Sequence, residues 1–166
     1  MQTIATPFTL RKARATDQAA IRRLVFQARI NPRGLNWRRF VVAVDERQRV
    51  IGCGQIKPHR DGSRELASIV VEPGRRLGGV GSAVITHLMT AGPPLWLVCR
   101  SRLIPYYRRF GFREIHEPQA SLPHFRRILR LGRWLGRLLP PGDLPSVMVW
   151  ESAAPQPARE ARLQAE

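Results

Sequence analysis

The chain has 166 residues, 43% of them hydrophobic, and a formal net charge of +16 from 28 basic and 12 acidic side chains. A chain of this length forms one domain with its own core, and its apolar runs are all shorter than the ~18 residues of a membrane-spanning helix. The basic excess favours anionic partners, such as phosphorylated cofactors, nucleic acid or acidic membrane, without choosing among them.

Cysteine and histidine usage disfavours a secreted or metal-binding protein. Cys53 and Cys99 lie inside apolar, strand-like runs, which favours two buried free thiols over a disulfide between them. The histidines are scattered and show no metal-ligand spacing. The first residues also lack the charged segment and apolar stretch of a secretory signal. We therefore expect a cytoplasmic protein with no metal site.

The first half of the chain predicts a strand, a helix and an antiparallel three-stranded unit. Residues 8–11 predict a short strand, and Thr16-Asp17 predicts the start of a helix whose apolar residues recur at helical spacing. Two β-branched runs joined by a polar turn predict a hairpin, and a second turn leads to a third strand. These three strands are expected at residues 40–44, 50–57 and 65–71.

The second half predicts a strand–helix–strand crossover and then an interruption. A glycine-rich turn opens a helix that ends near Ala91, and a strand, a short helix and another strand are expected at residues 95–99, 102–110 and 112–115. Residues 146–150 predict the last strand. The order of elements indicates an α/β (α+β) domain over residues 8–151, interrupted by a basic insertion at about 117–145. The tail, residues 152–166, has too few large apolar residues to become ordered, and we expect it to be flexible.

The glycine-rich turn V-E-P-G-R-R-L-G-G-V-G, residues 71–81, is the strongest functional signal. A strand that leads through such a turn into a helix directs unpaired N–H groups and the positive helix end at one point, which binds phosphate. No lysine follows as a Walker loop requires, and a valine stands where a dinucleotide fingerprint needs its third glycine. The pattern R-x-x-G-x-G does fit, from Arg76 to Gly81. The alternative is a turn that only lets the helix pack closely on the strand.

This turn resembles the acyl-CoA-binding motif of the GNAT superfamily of N-acetyltransferases. The segment L-I-P-Y-Y-R-R-F-G-F, residues 103–112, is similar to the family's second signature, a short helix with a tyrosine before a G-F pair. The pattern from Leu10 to Leu24 is similar to the family's first strand and helix. The resemblance implies a GNAT-like mixed, twisted β-sheet flanked by helices. It also implies an acyltransferase that moves an acetyl group from acetyl-CoA to a primary amine by direct attack on the thioester.

The resemblance also implies how the chain holds acetyl-CoA. In the family the turn amides wrap the pyrophosphate and the preceding strand pairs with the pantetheine arm, which directs the Val71 N–H at the thioester oxygen. Gly79 and Gly81 permit an approach that a Cβ would block. Many relatives carry an asparagine before the short helix, whereas this chain has arginine, serine and arginine at 100–102, so that role is not carried over. The expected cofactor-binding residues are Ile69, Val70, Val71, Arg76, Leu77, Gly78, Gly79, Val80, Gly81 and Ser82.

Two side chains are candidates for the proton transfers. Tyr107 corresponds to the family's general acid for the departing thiolate, a role that suits a phenol, with space filling as the alternative. Glu65, at the start of the same strand as Val71, lies where some members place a general base, with a solvated carboxylate as the alternative. Asp61 and Glu72 are weaker candidates for the base. We expect Tyr106, next to Tyr107, to be a packing residue.

The basic insertion contains the run H-F-R-R-I-L-R-L-G-R-W-L-G-R-L-L, residues 124–139. On a helix, its leucines, Phe125 and Ile128 fill one half and its arginines cluster on the other. Three roles are open for this helix, residues 125–139. Its apolar face covers the core or the acceptor cleft, or the helix binds an anionic membrane surface, or it binds RNA or an acidic partner. A homodimer is also allowed. The alternative to an enzyme is a non-catalytic acyl-CoA-binding sensor or a membrane- or RNA-associated adaptor.

Overall fold

A seven-stranded sheet runs through the protein in the order β1-β2-β3-β4-β5-β7-β6. The computed structural model describes residues 7–117, 122–135 and 140–151, so the predicted tail lies outside the described residues. All neighbouring strands are antiparallel except β4 and β5, which are parallel. The strands are β1 (Thr9–Lys12), β2 (Phe40–Val44), β3 (Val50–Pro58), β4 (Arg64–Val71), β5 (Leu95–Arg100), β6 (Arg113–Ile115) and β7 (Pro145–Trp150).

Four helices pack on this sheet, and the mixed α/β fold expected from the sequence is confirmed. The α-helix between the parallel strands β4 and β5 is the one that follows the glycine turn, and it forms their crossover connection. Short 3-10 turns precede the first and third helices. The helices are α1 (Gln18–Gln27), α2 (Val80–Met89), α3 (Ile104–Arg108) and α4 (Pro123–Leu135).

Alternation along the strands divides the core between the two faces of the sheet. One face packs against α2 and α3, with Leu66, Leu97 and Tyr107 in a single buried cluster. The other face carries two clusters, one under α1 and one under α4. Trp96, between two β5 leucines that face α2, therefore points towards α4. Both cysteines are buried free thiols, as expected.

The sheet opens between its two parallel strands, and this gap positions the site. The ladder between β4 and β5 has one residue pair, Glu65 with Trp96, although both strands continue beyond it. The register of β4 with β3 shifts between Ala67 and Val70, a few residues beyond this pair, where Ser68 takes a left-handed conformation with φ of 56°. A bulge bends and twists its strand, so the end of β4 at Val71 diverges from β5.

Candidate active site

The start of α2 presents backbone donors at the open end of this gap. Gly79 precedes the helix with φ of 77°, a conformation that disfavours any residue with a Cβ, and no side chain caps the helix. The first intrahelical bond is donated by the Ala83 N–H to the Gly79 carbonyl, at 3.0 Å. The N–H groups of Val80, Gly81 and Ser82 therefore point out of the helix end without intrahelical acceptors, an arrangement that binds anions.

The Val71 N–H faces the gap between β4 and β5. The Glu72 N–H donates to the Ile51 carbonyl at 2.8 Å, so the next pair along, Val71 with Gly52, belongs to the class that exchanges no hydrogen bonds. The Val71 N–H and carbonyl thus point away from β3 and towards β5. The Arg76 Nε, 3.5 Å from the Val71 carbonyl oxygen, lies on that same side.

The remaining predicted cofactor residues occupy this end of the sheet in different ways. Ile69 packs in the cluster under α2 and Val70 in the cluster under α1, so their side chains are core and only their backbones are available to a ligand. Leu77 is 93% exposed, at the tip of the turn. The Gly78 N–H donates to the Arg75 carbonyl at 3.3 Å, so this amide serves the turn itself.

The two adjacent tyrosines of α3 separate into a buried and a loop-facing side chain. Tyr107 is 9% exposed and lies in the cluster under α2. Burial raises the pKa of Tyr107, and the neighbouring Cys99 and Tyr106 raise it further, so the phenol stays protonated. The ring of Tyr106 packs as expected, edge-on to Tyr107. Its hydroxyl, however, lies 3.4 Å from the Ser82 Oγ. It therefore reaches the glycine-rich turn and the first residues of α2, residues 71–82, here called the phosphate loop. The sequence did not indicate this contact.

Glu65 belongs to a cluster that the sequence analysis missed. Its Oε2 lies 2.7 Å from the His59 Nε2, and both side chains are largely buried. The His59 ring stacks on the His124 ring with centroids 3.7 Å apart. The sequence analysis treated the histidines as scattered. For His59 and His124 this is wrong, because the turn after β3 and the start of α4 meet over β4 and bring the two rings together. No local spacing could have indicated it.

The geometry of this cluster is that of a hydrogen-bonded pair under a stacked ring rather than of a metal centre. Ligand-type atoms of His59, Glu65 and His124 lie within 4.8 Å of one another. The lone pair of an imidazole nitrogen lies in the plane of its ring. The two stacked rings are inclined by only 22°, so the lone pairs of His59 and His124 lie in nearly parallel planes and do not converge. A tetrahedral ion needs ligands that converge on one point, and the His59 Nε2 already contacts Glu65.

The weaker candidates for the base have other contacts. Asp61 Oδ1 accepts from the hydroxyl and the N–H of Ser63, and Oδ2 accepts from the N–H of His124 at 3.1 Å. These hydrogen bonds, the Ser63 hydroxyl foremost, lower the pKa of Asp61 to about 2. Its carboxylate therefore joins the turn to α4. Glu72 lies beyond the end of β4, where its N–H bonds β3.

The positions where relatives carry an asparagine are engaged in ion pairs. Arg100 Nη1 and Arg102 Nη1 lie 3.3 Å and 3.1 Å from the Asp143 Oδ1. Asp143 precedes β7, so these pairs fix the connection that follows the insertion. Both guanidinium groups remain partly exposed, and neither is shown in contact with the gap.

The helix predicted in the insertion is present, and part of its apolar face covers the core. Phe125 is fully buried, with its ring stacked 5.0 Å from that of Trp96, and Leu129 is 8% exposed. Leu131 was expected on the same face but is 52% exposed, and Trp134 is 66% exposed. Residues 136–139 of the predicted helix lie outside the described residues. In the described part of the chain no helix is long and apolar enough to cross a bilayer.

The sequence model of the acetyltransferase (GNAT) domain matches residues 36–114. This stretch contains the opened strand pair, the phosphate loop and α3. These residues, just under half of the chain, form a GNAT acetyltransferase domain. The protein is accordingly an acyltransferase of the kind that acts with coenzyme A. At the level of sequence, no curated protein matches it.

Solved GNAT structures share the fold of this GNAT domain. Rv2747 from Mycobacterium tuberculosis, in complex with CoA, is 21% identical with a TM-score of 0.65, and the match covers 87% of this chain and 99% of that one. Ard1 from Thermoplasma volcanium is 15% identical with a TM-score of 0.62, covering 87% and 97%. N-acetylglutamate synthase from Neisseria gonorrhoeae, complexed with coenzyme A and L-arginine, is 15% identical with a TM-score of 0.68, covering 88% of this chain and 33% of that one.

Proposed function

We propose that this protein transfers the acetyl group of acetyl-CoA to a primary amine by direct attack of the amine on the thioester. One observation carries the proposal: the Val71 N–H and the uncapped start of α2 face the same opening between β4 and β5. An extended pantetheine arm fits such an opening as a pseudo-strand, and its pyrophosphate fits the helix end. The buried free thiols suit a reducing cytoplasm, where acetyl-CoA is available.

The acetyl-CoA contacts follow from the geometry of the opening. The N–H groups of Val80, Gly81 and Ser82 would bind the pyrophosphate, with the Arg76 guanidinium adding positive charge. Backbone groups of residues 69–71 would pair with the pantetheine arm. A Cβ on Gly81 would meet the Tyr106 hydroxyl at 3.0 Å and Val71 Cγ2 at 3.5 Å, so glycine lets β4 and α3 pack closely against the start of α2.

The chemistry needs an oxyanion donor, a base and an acid. The Val71 N–H would stabilise the oxyanion; loss of one such donor in a well-studied enzyme costs about 3–4 kcal/mol of barrier. Glu65, where the two strands part, would take the proton of the acceptor ammonium, directly or through a water. Tyr107, which burial keeps protonated, would give its proton to the departing thiolate.

The acceptor is proposed to be a small amine without further positive charge. The net charge of +16 would repel a polycationic acceptor. The gonococcal N-acetylglutamate synthase, which is similar in fold, is crystallised with N-acetyl-glutamate as well as with L-arginine. A small amine that carries a carboxylate is consistent with both observations.

A coenzyme-release assay tests the proposal. The protein is mixed with acetyl-CoA and, separately, with L-glutamate, an N-terminal peptide, a lysine peptide or spermidine, and free thiol is followed with a chromogenic reagent. Burial raises the pKa of the Cys53 thiol and of the Cys99 thiol to about 12, so the folded protein adds little background. Amine-dependent release, weakest with spermidine, is expected. Tight acetyl-CoA binding without release to any amine would favour the non-catalytic sensor instead.

A second role, contact with an anionic membrane surface, is favoured by the outer face of α4. Leu131 and Trp134 are exposed, and exposed Arg127 and Arg130 lie on the same side of the helix at i, i+3, i+4 and i+7 spacing. Apolar side chains flanked by arginine suit a layer of anionic headgroups. RNA binding through the same arginines is the competing outcome of the vesicle test described in the Discussion.

A further inference from the structure

The surroundings of Glu65 are built around one hydrogen bond. The His59 Nε2 lies 2.7 Å from the Glu65 Oε2, with 9% and 14% of the two side chains exposed. A neutral imidazole can donate through Nε2 and so fix one carboxylate oxygen. The other oxygen is then left for a second partner, at the point where β4 and β5 part.

His124 covers the outer side of His59. The two rings stack, and Phe125 contacts His59 edge-on with centroids 5.7 Å apart. The start of α4 is itself held here by the Asp61 carboxylate, which accepts from the His124 N–H. The imidazole is therefore enclosed by α4 rather than exposed at a loop tip.

The charges around the cluster oppose a second proton on the ring pair. Burial lowers the pKa of His124, and the nearby charges of His59 and Lys57 lower it further, whereas Glu65 and Asp61 raise it. These are the charged neighbours on β3, the following turn and β4. The β5 neighbour of this face, Trp96, carries no charge. The pKa of His124 therefore lies below the usual histidine value.

We propose that His59 is the positioning residue of the base: its Nε2–H orients the Glu65 carboxylate, and the stacked His124 holds the imidazole in place. The inference rests on the proposed function, because it assumes that Glu65 accepts the proton of the acceptor ammonium. A proton added to His59 turns the hydrogen bond into an ion pair, which lowers the proton affinity of Glu65. A substitution at residue 59 that cannot take this proton should therefore change the pH dependence of transfer.

Two substitutions of His59 separate its role as a hydrogen-bond donor from its ability to take up a proton. His59→Phe keeps a ring to stack on His124 but removes the donor. His59→Gln keeps an N–H donor but cannot be protonated. His116→Gln is the matched control, because the His116 side chain is 75% exposed and lies away from the cluster. Melting temperatures first establish that all three variants are folded.

The experiment measures kcat and KM between pH 5.5 and 9, with acetyl-CoA and the fastest amine of the panel. For His59→Phe we expect kcat to fall more than tenfold with the KM for acetyl-CoA unchanged. For His59→Gln we expect kcat within about threefold of wild type at pH 8 and an acid limb displaced to lower pH. His116→Gln should match wild type. Wild-type kcat in His59→Phe, or an unmoved acid limb in His59→Gln, would overturn the inference.

A binding measurement separates failure of the inference from failure of the proposed function. If the wild-type protein binds no acetyl-CoA, or binds it and acetylates no amine, the proposed function and this inference both fall. Histidine ring NMR titrations compare Glu65→Gln with wild type as an independent readout. The His59 signals should change their pH dependence and the His87 signals should not; identical His59 curves would contradict the pairing.

Discussion

The Tyr106 hydroxyl lies directly over Gly81, and a Cβ on that glycine would come within 3.0 Å of the oxygen. Gly81 also contacts the end of β4, since the same Cβ would lie 3.5 Å from Val71 Cγ2. The phosphate loop, the opened strand and α3 thus meet at one residue that has no side chain. A methyl group added here would displace Tyr106 or Val71.

Gly81→Ala is expected to weaken acetyl-CoA binding at least tenfold, because Tyr106 or the end of β4 at Val71 must move to make room for the methyl group. Isothermal titration calorimetry measures the effect. Gly74→Ala is the matched control: it lies in the same connection, and a Cβ there would meet nothing within 4 Å. Equal affinities for the two variants would remove Gly81 from the binding site.

Tyr107→Phe is expected to lower turnover more than tenfold and leave acetyl-CoA affinity nearly intact, because only the proton for the thiolate is lost. The ring that packs in the cluster under α2 is kept, so the variant should remain folded. Tyr106→Phe is the comparison, and it should change acetyl-CoA affinity more than turnover, since its hydroxyl faces Ser82. The reverse pattern in steady-state kinetics would assign the acid to Tyr106.

Asp61→Asn is expected to destabilise the protein by on the order of 1 kcal/mol at pH 7, since it weakens charge-assisted bonds that join the turn to α4. The pKa of Asp61 is lowered to about 2 when folded, so its contribution is complete above pH ~4–5 and is lost as the pH falls towards 2. Urea unfolding at pH 7, 5 and 3 measures the difference from wild type. The difference in unfolding free energy between Asp61→Asn and wild type should be smaller at pH 3 than at pH 7. The exposed control Glu46→Gln should have the same unfolding free energy as wild type at every pH.

The double variant Leu131→Ala, Trp134→Ala is expected to reduce sedimentation with vesicles of phosphatidylserine and phosphatidylcholine at low salt severalfold. Phe26→Ala is the control, because Phe26 is 63% exposed on α1, away from the arginines of α4. No vesicle binding by the wild-type protein would end the membrane role. Retained binding to single-stranded RNA would then favour the competing partner.

The sequence predicted those features that depend on neighbouring residues. β-branched runs and turns located the hairpin of β2 and β3, and the glycine pattern located the loop before α2, because each is encoded within a few residues. The burial of the Cys53 and Cys99 thiols could be predicted for the same reason, because both residues lie within apolar strands.

The parts that were not predicted depend on how distant segments meet. His59 and His124 stack because the turn after β3 and the start of α4 pack over the same strand, which no spacing encodes. Helical periodicity placed Leu131 on the buried side of α4, but contact with Trp96 selects the face centred on Phe125 and Leu129. The difference between Tyr106 and Tyr107 likewise depends on how a five-residue helix docks against α2.

The most direct measurement is a calorimetric titration of the wild-type protein with acetyl-CoA and with coenzyme A. The Val71 N–H and the start of α2 should bind either ligand with one-to-one stoichiometry and a Kd within about 1 μM to 1 mM, the usual range of enzyme–substrate affinities. Gly81→Ala should raise that Kd at least tenfold. An absence of heat with both ligands at about 1 mM, from protein that melts cooperatively, would contradict the account.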